Sequence, residues 1–481
     1  MGQQSLLRLL VVAFLTVATG VPRSWRHAPP PPTTENESNE LTAPPTLENA
    51  SRSPHVVEVS LTAAPARLSL LPGKTTPALA YNGRIPGPTL DVHEGDSVIV
   101  HFTNRLSEPT TVHWHGLHIP AKQDGSPFEP VMPGERRDYV FRIAPGTAGT
   151  YWYHPHPDRR SGYQVAMGLF GAIVVRPPAA RDPIPASVQD KLLVLSDNRF
   201  RPDGSIDIAD SGSMAAMVDD ENGREGNVLF VNGQHTPSLS IRAGEVQRWR
   251  IINASAARIY RLSVDGATIF RVASDGGLFE HPEKVQEVVL ANSDRVELLV
   301  RGDVPPGTRT ALRALPYDRY DPHTRPPDWN RTIDLLSLLY TDAAPATPVA
   351  IPSTLRPIAW LDTTHVAEHR VVVFTQGMIN GKHMDMHRVD FTGRVGTTEI
   401  WEVENLVGMD HPFHLHGFRF QVLDRNGVPE LVPRWEDTID VPPHESARIV
   451  VRFDDFGGKW MFHCHIMDHE DMGMMGVLLL E

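Results

Sequence analysis

Beyond residue 54 the chain alternates apolar and polar residues in short runs rich in β-branched side chains, which glycines and prolines separate. A period of two is typical of a strand with one buried and one exposed face, and sustained helical periodicity is nearly absent. The pattern therefore predicts an all-β protein. Two earlier segments differ from it: an apolar run over residues 9–18, and a stretch over residues 22–54 rich in Pro, Ser, Thr, Asn and Glu.

One of the alternating runs occurs three times. Residues 94–104, 243–253 and 395–405 each carry a glycine and, nine positions later, an asparagine. The repeats are about 150 residues apart, which is the size of one domain. We therefore predict three similar β-domains behind an N-terminal leader. The predicted boundaries are a signal peptide over 1–20, a disordered Pro-rich linker over 21–54, and domains over 55–178, 179–345 and 346–481.

The N-terminal segment has the features of a secretory signal peptide. Arg8 precedes the apolar run, the small residues Ala18, Thr19 and Gly20 end it, and the run is shorter than the ~20 residues that a membrane-spanning helix needs. We therefore expect a cleaved signal and a periplasmic or secreted protein without stable membrane insertion. The net charge of -13 over 481 residues, without a basic tract, argues against nucleic-acid binding.

The first and third repeats carry paired histidines at positions where the second repeat is apolar. The positions nine and eleven residues after the repeat asparagine are His113 and His115 in the first repeat, Leu262 and Val264 in the second, and His414 and His416 in the third. The ends of the first and third units add His154-Pro155-His156 and His463-Cys464-His465. In a strand the two histidines of such a pair share one face, and the residue between them faces the other way. If the outer units pack together, eight imidazoles converge, which is enough for three metal ions.

Cys464, the only cysteine, predicts a second and different metal site. Strand parity places it with His411, and His469 and Met474 follow it by five and ten residues. Two imidazoles, a thiolate and a distant thioether are the ligands of a blue-copper electron-transfer site. A structural zinc site, the alternative, normally takes several thiolates or a closed set of four ligands. Electrons would run from Cys464 along one residue of backbone to His463 and His465.

These motifs resemble those of the multicopper oxidases over residues 55–481. The resemblance rests on His113-Trp114-His115-Gly116, His154-Pro155-His156, and the runs from His411 to Gly417 and from His463 to Met474. It points to the three-domain laccase-like branch that includes bacterial copper efflux oxidases, spore-coat laccases and bilirubin oxidases. It implies three consecutive cupredoxin-like Greek-key β-barrels and four copper ions.

The resemblance also implies a role for each ligand. The type 1 copper would bind His411, Cys464 and His469, with Met474 axial, and the type 2 copper would bind His113 and His414. The two type 3 coppers would bind His115, His154 and His465, and His156, His416 and His463. Asp124 and Glu470 match two acids near the cluster, and we expect them to relay protons. The alternative is that they only hydrogen-bond to ligand histidines.

The implied activity is one-electron oxidation of a reductant coupled to four-electron reduction of O2 to water. The reductant would be a phenol or aromatic amine, as in a laccase, or a metal ion such as Cu(I), as in a cuprous oxidase of copper tolerance. The methionine-rich insertion of copper efflux oxidases is missing, which favours the laccase type. A third hypothesis is a copper-binding envelope protein without oxidase turnover. We expect a monomer, with electrons entering at an exposed edge of His411.

Overall fold

The computed structural model of the chain describes residues 39–320, 322, 325–326, 329–343 and 349–481. The predicted signal peptide and the first part of the predicted linker lie outside these residues. Among the residues described, no helix has the length and apolar character needed to cross a membrane. The fold is all-β and consists of three cupredoxin-like barrels, as predicted.

The first barrel comprises two sheets, with strand orders β2-β1-β4-β5 and β3-β7-β6. Its strands are β1 (Val56–Leu68), β2 (Thr76–Tyr81), β3 (Gly87–His93), β4 (Ser97–Asn104), β5 (Arg136–Arg142), β6 (Gly149–Tyr153) and β7 (Gly171–Arg176). A 3-10 turn at Ala121–Gln123 precedes β5, and helix α1 (Ser161–Ala166) links β6 to β7. Alternate residues of β4, among them Val98, Val100 and Phe102, are fully buried between the sheets.

The second barrel has a sheet of order β10-β9-β8-β12-β17-β14-β15 and a sheet of order β11-β19-β18-β13-β16. Its elements are β8 (Gln189–Asn198), α2 (Met214–Asn222), β9 (Val228–Val231), β10 (Gln234–His235), β11 (Ser238–Ala243), β12 (Val246–Asn253), β13 (Tyr260–Val264), β14 (Ala267–Ser274), β15 (Gly277–Val285), β16 (Glu287–Leu290), β17 (Arg295–Gly302), β18 (Arg309–Leu315) and β19 (Ile333–Ala343). A 3-10 turn at Ala179–Arg181 precedes β8. Leu262 and Val264, which take the positions of the paired histidines of the outer barrels, lie in the core of the second barrel.

The third barrel has sheets of order β21-β20-β23-β28-β25-β26 and β22-β30-β29-β24-β27. Its elements are β20 (Glu368–Thr375), β21 (Met378–Ile379), β22 (Phe391–Gly393), β23 (Thr397–Asn405), β24 (His411–Leu415), β25 (Phe420–Arg425), β26 (Val428–Pro429), β27 (Thr438–Val441), β28 (Ser446–Phe453), β29 (Gly458–Cys464), α3 (Met467–Met472) and β30 (Met475–Leu480). Phe413, Phe462 and Trp401 fill the core between the sheets.

The repeated asparagine ends the corresponding strand of each barrel. Asn104, Asn253 and Asn405 are fully buried, and each side-chain amide donates hydrogen bonds to backbone carbonyls of nearby loops. Asn405, for example, bonds to the carbonyls of Met409 at 2.7 Å and Val441 at 2.8 Å. The asparagine therefore fixes the loop that leads to the histidine motif in the outer barrels. The repeated glycine has φ between 79° and 89°, the left-handed region that glycine adopts without strain.

The prediction of a disordered linker is wrong for residues 39–54. The backbone N–H of Leu41 donates to the Ser238 carbonyl at 2.7 Å, and that of Leu47 donates to the Thr89 carbonyl at 2.8 Å. Leu47 is also buried. Polar composition misleads here because a few leucines are enough to anchor a segment whose backbone pairs with strand edges of two barrels.

We expect Asn405→Ala to lower the free energy of unfolding by roughly 2–4 kcal/mol, because it leaves several buried backbone groups without their hydrogen bonds. Asn330→Ala, at an exposed position, is the control and should change it by less than about 0.5 kcal/mol. Urea unfolding followed by tryptophan fluorescence measures both. Equal stability of the two variants would contradict the scaffolding role of Asn405.

Candidate metal centres

Two adjacent strands, β24 and β29, carry four of the eight predicted metal ligands of the third barrel, namely His411, His414, His463 and Cys464. They pair antiparallel, with Phe413 opposite Cys464 and His414 opposite His463. Cys464 points into the hydrophobic core of the third barrel, whereas the rings of His463 and His414 meet edge to face, with 5.4 Å between centroids. The alternation along β29 thus directs neighbouring residues to two different sites, as the sequence predicted.

The first site contains Cys464, His411 and His469, whose potential ligand atoms all lie within 4.8 Å of one another. Cys464 Sγ is 3.6 Å from His469 Nδ1. The short helix α3 brings His469 back onto the cysteine and ends at Gly473, which is left-handed with φ 99°. Met474 follows directly and is also fully buried, with its carbonyl accepting a hydrogen bond from the Cys464 N–H at 3.2 Å.

Burial controls the protonation of this first site. It raises the pKa of the Cys464 thiol above its usual range, and it lowers the pKa of His411 to about 4 and that of His469 well below its ordinary value. At neutral pH both imidazoles therefore offer a lone pair. The thiol becomes a thiolate when a cation compensates its charge.

The second site is a cluster of imidazoles between the first and third barrels. His416 Nε2 lies 2.9 Å from His463 Nε2, which is 3.4 Å from His156 Nε2. On the other side His465 Nε2 lies 3.2 Å from His115 Nδ1. All eight histidines of the four H-x-H pairs are buried here: His113, His115, His154, His156, His414, His416, His463 and His465. The predicted packing of the outer barrels is therefore present.

The cluster contains overlapping sets of three residues whose potential ligand atoms lie within 4.8 Å of one another. Two sets equal the predicted type 3 groups, namely His115, His154 and His465, and His156, His416 and His463. A third set combines His115 with His113 and His414, the predicted type 2 pair.

Most rings of the cluster are held from outside through Nδ1. The acceptors for His113, His154, His414 and His463 are backbone carbonyls of Asp124, Pro155, Asp437 and Cys464, at 2.8–3.0 Å. His416 Nδ1 instead donates to Asp124 Oδ2 at 2.8 Å. A proton fixed on Nδ1 leaves the Nε2 lone pair facing the centre of the cluster.

The residues present fit copper. Burial lowers the pKa of most of the cluster histidines below its ordinary value, so their rings are neutral donors at pH 7. The Nε2 atoms of His113, His154 and His414 have no hydrogen-bond partner among the described residues, which is costly for a buried nitrogen unless an ion binds it. Imidazoles beside a single thiolate site are the donors that copper prefers.

Comparisons with known proteins agree with this geometry. Two sequence models described as multicopper oxidase match residues 62–180 and 355–481. The multicopper oxidase mco of Staphylococcus aureus is 32% identical over 460 residues, which are 91% of this chain and 92% of that protein. The chain belongs to the multicopper oxidase family.

Other proteins similar to this chain are described with different functions. A multicopper oxidase from Campylobacter jejuni, described as a metallo-oxidase, is 33% identical and superposes with a TM-score of 0.83, covering 92% of this chain and 95% of its own. A laccase from Pediococcus acidilactici is 31% identical, with a TM-score of 0.81 and coverages of 95% and 95%. The cell division protein FtsP of Escherichia coli is 29% identical over 92% of this chain and 93% of its own.

Two buried acids touch the outer side of the imidazole cluster of this multicopper oxidase. Asp124 bonds to His416, and its other oxygen lies 3.4 Å from His113 Nδ1. Glu470 lies 3.4 Å from His156 Nδ1 and 3.7 Å from His463 Nδ1. Burial, together with nearby Asp471, raises the pKa of Glu470 well above its usual range. Both acids therefore contact histidines of the cluster.

Asp437, which contacts two histidines of the cluster, was not predicted from the sequence. Asp437 Oδ1 accepts from His115 Nε2 at 3.0 Å, and its backbone carbonyl accepts from His414 Nδ1. Gly116 of the first histidine motif leaves room for this residue, since an added Cβ would lie 2.5 Å from Asp437 Oδ2, but a glycine alone does not identify its neighbour from the sequence.

The expectation of an exposed edge at His411 is wrong. The exposed fraction is 1% for His411 and 2% for His469. Helix α2 of the second barrel lies against this site, and the Glu221 carbonyl near its end accepts a hydrogen bond from His469 Nε2 at 3.1 Å. The sequence could not show this because α2 is 248 residues away from His469 along the chain.

Copper uptake at pH 7 should release about one proton more from the natural chain than from Cys464→Ser. The buried thiol holds its proton until copper binds, whereas the imidazoles with lowered pKa are already neutral and release none. Uptake at this site should accordingly weaken as pH falls. Calorimetry in two buffers of different ionisation enthalpy measures the difference. Equal proton release from both chains would contradict thiolate ligation.

Proposed function

We propose that this multicopper oxidase binds four copper ions and couples one-electron oxidation of a reductant to reduction of O2 to water. The observation that carries the proposal is one strand, β29, with Cys464 in the first site and His463 in the second. The type 1 copper would be held by His411, Cys464 and His469 with Met474 axial. The other three coppers would be held by the eight clustered histidines in the groups given above.

When bound, copper would accept electrons from the reductant one at a time at the first site, and the four reduced coppers of the two sites together would pass on the four electrons that dioxygen needs. The contribution of the chain is a short covalent connection between the two. Cys464 is bonded through the backbone to His463 on one side and to His465 on the other, and these two histidines belong to different sets of the cluster. The two halves of the cluster thus have separate connections to the thiolate.

Asp124 and Glu470 would deliver the protons that water formation consumes. Each lies against two histidines of the cluster, and Glu470 is buried with a raised pKa, so that it can carry a proton at neutral pH. A group that holds a proton next to the site where oxygen is reduced shortens the path of that proton.

For the reductant, we propose a phenol or an aromatic amine. This agrees with the absence of methionine between Met217 and Met378, where a methionine-rich insertion would be expected for a copper efflux oxidase. The laccase from Pediococcus acidilactici, similar over nearly the whole chain, is compatible with this choice. Because His411 and His469 are covered, such a reductant would transfer electrons through the surface residues above them.

Cu(I) is a second candidate, and helix α2 is the specific feature that favours it. Met214 and Met217 are 69% and 56% exposed on this helix. Met217 is about 6 Å along the helix axis from Glu221, whose carbonyl holds His469. Thioethers are soft ligands that suit Cu(I). The similarity to a metallo-oxidase from Campylobacter jejuni also supports this candidate.

A copper-binding envelope protein without turnover is the alternative of another class. The similarity to FtsP, a cell division protein, is compatible with a function other than that of an oxidase. The complete set of buried donors in both sites favours an oxidase instead. We also propose that the chain acts outside the cytoplasm, on the basis of its N-terminal sequence.

Asp124→Asn and Glu470→Gln should each lower the rate of O2 consumption by about 10- to 100-fold at unchanged copper content, because neither amide can carry the proton. Copper per chain, measured on the same samples, is the control for ligand loss. Full turnover by both variants would restrict these acids to hydrogen bonding.

The reductant is tested by O2 consumption of the copper-loaded chain with a phenol and, separately, with Cu(I). We expect turnover with the phenol, and none with either reductant in Cys464→Ser. The double variant Met214→Ser/Met217→Ser would lower Cu(I) oxidation roughly tenfold more than phenol oxidation only if α2 binds Cu(I). Met132→Ser, at another exposed methionine, is the matched control. A copper-loaded chain that oxidises neither reductant would contradict the proposed activity.

A further inference from the structure

A buried ion pair connects the second barrel to the imidazole cluster. Arg295, the first residue of β17, has no exposed side-chain surface, and its Nη1 donates to Asp437 Oδ1 at 2.9 Å. Its Nη2 contacts Asp437 Oδ2, so the pair is bidentate. Asp437 itself lies in the third barrel directly before β27 and is 2% exposed. The guanidinium therefore fixes the plane of the carboxylate.

Asp437 in turn holds one ligand histidine from each outer barrel. Its Oδ1 accepts from His115 Nε2 at 3.0 Å, and its carbonyl accepts from His414 Nδ1 at 2.8 Å. The neighbouring hydroxyl of Thr438 lies 3.2 Å from the same His414 nitrogen. The rings of His115 and His414 stack at 3.9 Å between centroids, so a single residue sets the orientation of a packed pair.

His115 is oriented opposite to the other rings. Five histidines of the cluster are held through Nδ1, as described above, whereas His115 is held through Nε2 and points Nδ1 at His465, 3.2 Å away. A neutral imidazole has one N–H, so an acceptor at Nε2 places the lone pair on Nδ1. A carboxylate is a strong acceptor for this purpose, and Asp437 is the one that His115 contacts.

The second barrel adds a carboxylate that stabilises the same arrangement. Asp275 Oδ1 accepts from the Arg295 backbone N–H at 2.8 Å, and Oδ2 lies 3.3 Å from the Thr438 N–H. Burial would lower the pKa of Arg295, but Asp275 and Asp437 raise it, so the guanidinium stays charged. The glycine at 116 leaves room, since a Cβ there would lie 2.7 Å from Arg295 Nη2.

A buried ion pair is weak support for stability in itself, because desolvation offsets most of the attraction. The second barrel contains a comparable buried pair that does not contact the imidazole cluster. Arg250 Nη1 bonds to Glu297 Oε1 at 2.6 Å and to Thr150 Oγ1 of the first barrel at 3.1 Å. Both residues are buried, and none of the contacts described for them involves a histidine of the cluster. Arg250 is therefore a matched reference for Arg295.

We propose that Arg295 and Asp437 are positioning residues of the copper cluster, through which the second barrel makes His115 bind copper by Nδ1 and keeps Nε2 of His414 free. The inference rests on the proposed function, since it concerns the same coppers. The second barrel, which carries none of the predicted copper ligands, would thereby contribute to the chemistry of the first and third barrels.

The test uses the full chain loaded with copper and two conservative variants, Asp437→Asn and Arg295→Lys. An asparagine of equal size cannot accept from both guanidinium nitrogens and His115, and a lysine cannot bond bidentately. We expect both variants to retain the blue band of the type 1 copper. Their cluster coppers should be lost to a competing chelator at about 10- to 100-fold lower chelator concentration, as for other residues that orient metal ligands.

Arg250→Lys is the control, and the unfolding midpoint of the copper-free chain is measured for all variants. The unfolding midpoint should fall for Arg250→Lys as it does for Arg295→Lys. The blue band and the retention of the cluster coppers against the chelator should be the same in Arg250→Lys as in the natural chain. The inference is overturned if Asp437→Asn and Arg295→Lys hold the cluster coppers normally, or if Arg250→Lys loses them equally. Failure of the natural chain to bind the cluster coppers would instead contradict the proposed function.

Discussion

The opposite orientation of adjacent side chains along β29 is the constraint on which both sites depend. Because Cys464 faces the core of the third barrel, the residues on either side of it must face away from that core. The imidazoles they carry meet those of the first barrel. A thiolate site and an imidazole cluster are therefore joined by a single peptide unit on each side, and a one-residue shift of this strand would abolish both.

The cluster also requires that imidazoles stay neutral and point inward. Burial favours the neutral form of the imidazoles, and hydrogen-bond acceptors around the cluster set the direction of the rings. Most of these acceptors are backbone carbonyls, and two of them belong to the residue that directly follows the histidine. The carboxylates of Asp124 and Asp437 hold two further rings, those of His416 and His115. Rings so arranged lose little freedom when an ion binds, and preorganised ligands bind more tightly than mobile ones.

Much of this follows from the sequence because it depends on local rules. Strand parity pairs Cys464 with His411 and separates it from His463, and the repeat identifies Leu262 and Val264 as core positions. What depends on distant parts of the chain does not follow. Arg295 meets Asp437 across 142 residues, and α2 covers His469 from the second barrel, so neither contact has a signal in local spacing. The hydrogen bonds of segment 39–54 were not predicted for the same reason, because its partners are edges of strands that lie elsewhere in the chain.

Copper content per chain tests the central claim most directly, that one thiolate site and one imidazole cluster are separate but share a strand. Metal analysis should give four coppers for the fully loaded natural chain and three for Cys464→Ser, because the variant loses the thiolate site and keeps the three coppers of the imidazole cluster. The same copper content in both chains, or far fewer than four in the natural chain, would contradict the account.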